Sequence, residues 1–337
     1  MKNYIIIELI FTLTKIWKDD SMNKEKNKNK QEILNELKKS CTYSSSIRLP
    51  GNIDFHLKDN ILNLFMSKDC VVKNMQENDA AFEGWSITLF RWLKEELSIE
   101  KVSLSWSEPD DINNKHYQRF LYRVKNFNDM YSWFEIDDTS LLNKLRLNYN
   151  LKKNYYINIP TDRKIKNNST NKLTEKSIEN IFAENGININ DGKIINKDNI
   201  YFQLPVGVFD GKNINNNNRI FPGGSSAIDL FGVESDTTYI FELKFNSKMI
   251  GIITQIYFYS NIIKDIQQNN LKPAEKNNHL DKIIKTDKLS AYMIADDYHP
   301  LIDNEVIDLM NKGVQGIEFK ALKFIINKFD ISHFDRS

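Results

Sequence analysis

Between residues 173 and 326 the sequence alternates between helical and extended hydrophobic patterns, and this order of elements limits the folds that the chain can adopt. Apolar residues at helical spacing predict helices at 173–185, 251–266 and 303–312. Short apolar or alternating runs predict strands at 200–209, 226–233, 238–245, 290–296 and 315–326. This order is typical of an α/β protein in which helices flank one mixed sheet. We therefore expect residues 161–337 to form an α/β domain.

The region before this sheet predicts a second, α+β domain at 41–160. Strand-like segments at 47–57 and 61–66 precede a helix at 80–97 and a strand at 102–106. The polar stretch 161–172 has the composition of an exposed connector, so we place the boundary between the two domains there.

Two arginines, Arg119 and Arg123, lie one helical turn apart within the aromatic-rich segment 116–136. Guanidinium groups at this spacing can clamp a phosphate. The alternative is that they pair with acids such as Asp129 and Glu135 on a packed face. The sequence leaves both interpretations open.

The first 40 residues are interpreted as an N-terminal segment followed by a polar linker. Residues 4–17 within the segment 1–21 are apolar but interrupted by Glu8, and a bilayer-spanning helix needs about 20 apolar residues. We expect a short helix or strand there, the alternatives being a targeting segment or a natural start at Met22. Residues 21–30 are lysine-rich and lack periodicity, which is typical of a disordered linker.

Charge and cysteine content exclude several classes of function. The chain has 46 basic and 45 acidic residues, so it has no large net charge that would draw it to a membrane or let it coat a polyanion. Its two cysteines, Cys41 and Cys70, cannot form a disulfide framework or a zinc cluster, which favours a cytoplasmic protein. Phosphate-binding loops and dinucleotide fingerprints are absent from the sequence, and its five histidines lack metal-ligand spacing.

The strand predicted at 238–245, TYIFELKF, holds two charged side chains in an apolar context. Side chains alternate between the faces of a strand, so Glu242 and Lys244 share one face while their apolar neighbours take the other. Asp229 lies within the preceding apolar strand, and the polar turn ESDTT joins the two. A hairpin of this kind places Asp229 beside Glu242. Taken singly, each of these residues is common at protein surfaces, so the combination carries the interpretation.

Two neighbouring carboxylates in apolar strands are costly unless another group compensates their charge. A hard divalent cation with oxygen ligands does so, and one of its bound waters can become a nucleophile. Lys244 is placed to position or deprotonate that water, or to stabilise charge in a phosphorane-like transition state. These are the requirements of phosphodiester hydrolysis.

Further along the chain, Gln255 and Tyr259 share one face of the helix predicted at 251–266. The order Glu175, Asp229, Glu242-Leu243-Lys244, Gln255-x-x-x-Tyr259 resembles the PD-(D/E)xK nuclease superfamily, nearest its RecB-like and archaeal structure-specific endonuclease branches. The resemblance covers about 170–326 and implies a restriction-endonuclease-like fold; Ile228 stands where many members have proline.

For the site, the resemblance implies that Asp229, Glu242 and the backbone carbonyl of Leu243 bind Mg²⁺ or Mn²⁺. It also implies a catalytic Lys244, with Gln255 and Tyr259 supporting the site or contacting DNA.

A glutamate of the helix predicted at 173–185 is the remaining candidate. On a helical wheel Glu175 lies about 60° from the mean direction of Ile178, Ile181 and Phe182, and Glu179 lies about 100° away. Glu175 is therefore assigned to the site, and Glu179 is interpreted as a solvated charge.

We therefore expect a cytoplasmic, metal-dependent endonuclease that acts on DNA, as in restriction or phage-defence systems. The N-terminal domain would recognise a target, a partner protein or a second copy of the chain. One alternative is a catalytically silent nuclease-like fold that serves as a binding or assembly module, since near-zero net charge is unusual for a protein that binds phosphates. Another is a ribonuclease or nuclease toxin.

Overall fold

A computed structural model describes residues 29–41, 46–149, 154–160, 173–190, 193–223, 226–327 and 330–335. It confirms the mixed α/β class predicted from the sequence. The segment 1–21 and the predicted connector 161–172 lie outside the described residues. Within the described ranges, every helix is too short or too polar to traverse a lipid bilayer.

The region up to residue 160 is built around a four-stranded sheet in the order β1-β2-β3-β4. Its elements are α1 (29–40), β1 (Ile53–Lys58), β2 (Ile61–Met66), α2 (Phe82–Leu93), β3 (Lys101–Trp106), α3 (Lys115–Met130), β4 (Phe134–Ile136) and β5 (Tyr155–Ile157). Short 3₁₀ turns lie at Asn78–Ala80 and Thr139–Lys144.

Helix α1 differs from the linker interpretation of the N-terminal segment. Residues 29–40 are helical, and Ile33 and Leu37 are buried one turn apart on the same side. The folded part of the chain therefore begins at least as early as residue 29.

The rest of the chain is built around a six-stranded mixed sheet in the order β15-β14-β13-β11-β10-β8. Strands β8, β10 and β11 are antiparallel, β11, β13 and β14 are parallel, and β15 pairs antiparallel with β14. The elements are α4 (Glu175–Asn185), β6 (Ile187–Asn190), β7 (Lys193–Ile195), β8 (Ile200–Pro205), β9 (Val208–Asp210), β10 (Ala227–Glu234), β11 (Thr237–Lys244), α5 (Gly251–Gln267), β12 (Leu271–Pro273), α6 (Asn278–Ile283), β13 (Lys288–Ala295), α7 (Asn304–Asn311), β14 (Ile317–Asn327) and β15 (Asp330–Asp335). A 3₁₀ turn, Lys197–Asn199, precedes β8.

The two faces of this sheet are covered by different helices. Alternation along β11 directs Tyr239, Phe241 and Leu243 into a small core with Phe182 of α4. Ile240 faces the other way, into a large core that contains α5. Helix α5 is apolar on nearly all sides because it is buried on nearly all sides, between the sheet and helices α2 and α3.

Residues from both predicted domains share this large core. Trp85 of α2 and Phe120 of α3 belong to the same cluster of buried side chains as Ile256 of α5. The backbones of the two regions approach so closely that a Cβ added to Gly251 would lie 2.1 Å from the carbonyl oxygen of Gln76. A residue with a side chain at this position would therefore force the two regions apart.

The strand predicted at 200–209 is divided in the structure. Residues 200–205 form β8 of the large sheet, whereas β9 pairs with β5 in a separate three-stranded sheet, order β12-β5-β9. Gly207 lies between the two strands, and a Cβ there would be 3.2 Å from Cα of Gly223. The chain therefore crosses from one sheet to the other through a point of close backbone contact, and β5 and β9 join residues on both sides of the predicted boundary.

Candidate active site

The β10–β11 hairpin brings Asp229 and Glu242 together. Leu230 pairs with Phe241, so the next position along the antiparallel ladder sets Asp229 opposite Glu242. The Leu243 amide donates a hydrogen bond to Oδ2 of Asp229 at 2.9 Å. The two carboxyl groups lie close enough for the charge of Asp229 to affect the pKa of Glu242. This is the juxtaposition that the alternation of the two strands predicts.

Burial dominates the electrostatics of this pair. Glu242 is 1% exposed, and its pKa is raised well above the usual value by desolvation and then by the charge of Asp229. Desolvation also raises the pKa of Asp229, against the opposing effect of Lys244. The pair therefore retains a proton to higher pH than two exposed carboxyl groups would. Oε2 of Glu242 is buried and has no hydrogen-bond partner among the described residues.

Lys244 lies against the same carboxylate. Its Nζ donates to Oε1 of Glu242 at 2.7 Å and to the carbonyl oxygen of Leu243 at 3.0 Å. Burial alone lowers the pKa of Lys244, but the charges of Glu242, Asp229 and Glu175 outweigh burial and raise it above its ordinary value. Lys244 is therefore an ammonium group at neutral pH, and it contacts two of the groups that the resemblance assigns to a metal ion.

Glu175 lies at the rim of this arrangement. It is the first residue of α4, whose N-cap Thr174 forms a capping box with Ser177. Oε1 of Glu175 is 3.7 Å from Nζ of Lys244, and the Glu175 side chain is 45% exposed. Glu175 can thus reach the site, but as a solvated charge at its edge.

The interpretation of Glu179 as a solvated charge is wrong, because this residue is buried. The helical wheel took Ile181 as part of the core-facing stripe, whereas the buried residues of α4 are Ile178, Glu179, Phe182 and Ala183. The stripe is therefore rotated toward Glu179.

Gln255 and Tyr259 are buried on the face of α5 that points at the carboxylates. Nε2 of Gln255 donates to the Tyr259 hydroxyl at 3.3 Å. Desolvation and the charges of Glu242 and Asp229 raise the pKa of Tyr259 well above its usual value, so its hydroxyl keeps its proton. Oε1 of Gln255 is buried without a partner in the described part of the chain.

All six side chains predicted from the sequence line one cavity of about 400 Å³. The N-terminal region also contributes to the lining of this cavity, through Asn74, His116 and Arg119. Sequence spacing gave no signal for Asn74 or His116, because they reach the cavity only through the packing on α5 of the segment before α2 and of helix α3.

The two arginines of α3 have different surroundings. Arg123 forms a buried ion pair with Glu83, at 2.8 Å between Nε and Oε1, so the partners Asp129 and Glu135 suggested from the sequence are wrong for it. Those acids instead pair with Lys125 and Lys101. Arg119 forms no ion pair with any described residue and lines the cavity.

The described residues contain no group of three or more His, Cys, Asp or Glu side chains arranged to hold a metal ion. A metal in this cavity would therefore rely on two carboxylates and on backbone, water or substrate oxygens, which is a ligand set that Mg²⁺ commonly accepts.

Comparisons of the chain with protein-family models, with curated proteins and with solved structures found no match.

Proposed function

We infer that this chain is a metal-dependent nuclease that hydrolyses phosphodiester bonds, with DNA as its expected substrate. One observation carries the proposal: Asp229 and Glu242 lie opposite each other on adjacent strands and are desolvated, with Lys244 on the same face. A fold gains no stability from two carboxylates in such a place, whereas metal-dependent phosphodiester hydrolysis uses carboxylates to hold the ion. The resemblance to the PD-(D/E)xK nucleases, which implies a restriction-endonuclease-like fold, supports the same proposal.

The residues present fit a hard divalent cation. The buried Oε2 of Glu242 lacks a partner, and the pKa values of both carboxyl groups are raised by burial, so a cation would relieve an existing deficit of positive charge. The side chains of Asp229 and Glu242 and the carbonyl of Leu243 would hold Mg²⁺ or Mn²⁺. Such an ion, when bound, supplies Lewis acidity toward the phosphate and a water of lowered pKa.

The chain's own residues supply charge and orientation around the reacting phosphate. Lys244, as an ammonium group, would neutralise negative charge that develops on the phosphate oxygens. This is a different role from the base that the sequence alone left possible. Glu242 and Leu243 fix the position of Nζ.

Tyr259 would act as a hydrogen-bond donor. Its hydroxyl accepts from Gln255 and keeps its own proton because its pKa is raised. That proton remains available to a phosphate oxygen or to a water in the cavity. Gln255 would hold the ring in position.

The alternative is a nuclease-like module that binds without cutting. It is favoured by the lack of a three-ligand metal group among the described residues and by the ammonium of Lys244 on the carboxylate that a metal needs. The two proposals differ in whether a divalent ion can displace that ammonium.

Cleavage assays separate them. The purified chain is incubated with Mg²⁺ or Mn²⁺ and with single-stranded DNA, duplex DNA and RNA, beside Glu242→Gln as the matched inactive variant. We expect cleavage of DNA that requires the metal and is lost in Glu242→Gln. Intact substrates in every reaction would reject the nuclease proposal in favour of the binding module. Cleavage confined to RNA would show that the substrate is RNA rather than DNA.

A further inference from the structure

Arg119 carries a buried charge for which the described fold supplies no counter-charge. Its side chain is 2% exposed, yet its three hydrogen-bond contacts are to neutral groups: Ser226 Oγ at 3.4 Å, Asn74 Oδ1 at 3.4 Å and His116 Nδ1 at 3.1 Å. An isolated charge in such surroundings is expensive to bury.

Arg123, one turn further along α3, shows how the same fold treats a structural arginine. It is 3% exposed and donates to both carboxylate oxygens of Glu83 and to the carbonyl of Ala80. Arg119 and Arg123 therefore lie on the same helix and are equally buried, but only Arg123 forms an ion pair with a carboxylate.

The guanidinium of Arg119 is held in place rather than left free. His116 and Asn74 accept from Nη2, and Ser226 accepts from Nη1. Asn114 caps α3 by accepting from the His116 amide at 2.9 Å, which fixes the first turn. These contacts use three of the five N–H bonds that a guanidinium offers, and the others have no acceptor among the described residues.

Arg119 shares its cavity with the carboxylate pair and Lys244. Burial and the nearby charge of Arg123 lower the pKa of Arg119 to about 9, which still leaves it charged at neutral pH. A phosphate that approaches Asp229 and Glu242 meets acidic groups, and a fixed positive charge in the same cavity would offset the repulsion.

We propose that Arg119 binds a phosphate oxygen of the nucleic acid in this cavity, so that the N-terminal region completes the substrate site. This inference rests on the proposed nuclease function. It assigns a substrate-binding role to a residue outside the part of the chain that resembles nucleases, and it gives the region before residue 160 a direct part in binding DNA.

The test measures DNA binding separately from cleavage. Binding of a fluorescein-labelled, 20-nucleotide single-stranded DNA is followed by anisotropy in the Glu242→Gln background, with and without Arg119→Gln. A lost charge-assisted hydrogen bond should raise Kd about 10- to 100-fold. Loss of one phosphate contact should also make the slope of log Kd against log salt shallower by about 0.7.

Two further variants distinguish contact from net charge. Lys125→Gln removes one charge from the exposed side of α3, where Lys125 is 51% exposed and pairs with Asp129, and it should leave Kd within about twofold. Arg119→Lys keeps the charge but loses the planar fork, so it should retain the salt slope with a weaker Kd.

The melting temperatures of two variants test the alternative that Arg119 only stabilises the fold. Arg119→Gln should melt at or above the temperature of the parent protein, whereas Arg123→Gln should melt lower. A destabilisation of Arg119→Gln as large as that of Arg123→Gln, an unchanged Kd, or no binding of DNA by Glu242→Gln would each overturn the proposal.

The cleavage assay of the wild-type chain reports separately on the nuclease function. Cleavage that survives Arg119→Gln undiminished would reject only the role of Arg119. Arginine-dependent binding without any cleavage would support that role and reject the nuclease.

Discussion

Two buried clusters of charged side chains, one between helices and one on a β-hairpin, differ in how completely the protein satisfies them. The first, which we call the structural ion pair, consists of Arg123 and Glu83 with Thr254, whose hydroxyl donates to Glu83 at 3.0 Å. The second, the carboxylate site, consists of Asp229, Glu242 and Lys244.

The structural ion pair balances its own charge. One cation meets one anion, both oxygens of Glu83 are bonded, and the pair joins α2 and α3 to α5. The carboxylate site holds two acids for one lysine, raises the pKa values of both acids and leaves Oε2 of Glu242 without a partner in the described residues. A cluster that is complete contributes to the fold, whereas one that lacks positive charge is suited to receive a cation.

The largest effect is expected on cleavage, from neutralising either acid of the carboxylate site. Asp229→Asn keeps the acceptor for the Leu243 amide, and Glu242→Gln keeps the side-chain shape. Each should reduce the single-turnover rate by about 10³- to 10⁴-fold, or about 4 to 5.5 kcal/mol, because the metal loses a charged ligand.

Folding stability supplies the control for these variants. Removing one of two like charges relieves repulsion, so the urea midpoint of each variant without metal should equal or exceed that of the wild type. Activity near the wild-type level would remove both acids from the mechanism.

The next largest effect is expected on stability, from breaking the structural ion pair. Arg123→Gln leaves the Glu83 carboxylate buried and uncompensated, which should lower the free energy of unfolding by about 3 to 5 kcal/mol. Urea denaturation measures this directly.

The matched control on the same helix is Lys125→Gln, which breaks an exposed pair with Asp129. Exposed pairs contribute at most about 1 kcal/mol, so this variant should change stability far less. Equal losses in Arg123→Gln and Lys125→Gln would contradict the distinction between the two clusters.

The carboxylate site was more predictable from the sequence than the structural ion pair, because the residues that form it are closer together along the chain. Asp229 and Glu242 are joined by a short hairpin, so the two-residue period of a strand is enough to align them. The i, i+4 spacing of Gln255 and Tyr259 is equally local.

Contacts that depend on how helices pack could not be read in this way. Glu83 is 40 residues from Arg123, and nearer acids were equally plausible partners by spacing. Arg119 reaches the cavity only because α3 packs on α5. The burial of Glu179 was missed for a related reason, since Ile181 fits the apolar pattern of α4 as well as Ala183 does.

A third, smaller effect should separate the clusters by their response to divalent ions. If Asp229 and Glu242 hold Mn²⁺ in the folded state alone, stability should rise by about 2.7 kcal/mol at a hundredfold excess of free ion over Kd. Thermal melts in millimolar Mn²⁺ measure the gain.

The gain should disappear in Glu242→Gln and persist in Lys125→Gln. A wild-type melting temperature that is indifferent to Mn²⁺ would show that the protein alone does not bind the ion. Repeating the melt with a phosphorothioate DNA would then reveal whether nucleic acid completes the site.

The smallest effect concerns the contact between the two regions rather than either cluster. His299 packs edge-on against Trp85 of α2, with ring centroids 5.7 Å apart, and its Nδ1 accepts from the Leu301 amide at 3.2 Å. Burial lowers its pKa to about 4, so the folded protein holds it neutral.

His299 binds a proton near pH 6.5 in the unfolded chain and near pH 4 in the folded chain. The stability that His299 contributes should therefore be constant above about pH 7.5 and fall as the pH drops through this window. The loss attributable to His299 should reach about 2 kcal/mol at pH 5. His299→Asn keeps an acceptor for Leu301 without a titrating group, and the difference in urea stability between wild type and this variant isolates His299 from the carboxylates, whose raised pKa values act in the opposite direction. A difference that does not change between pH 8 and pH 5 would mean that the fold does not lower the pKa of His299, and that its packing against Trp85 accepts the charged ring as readily as water does.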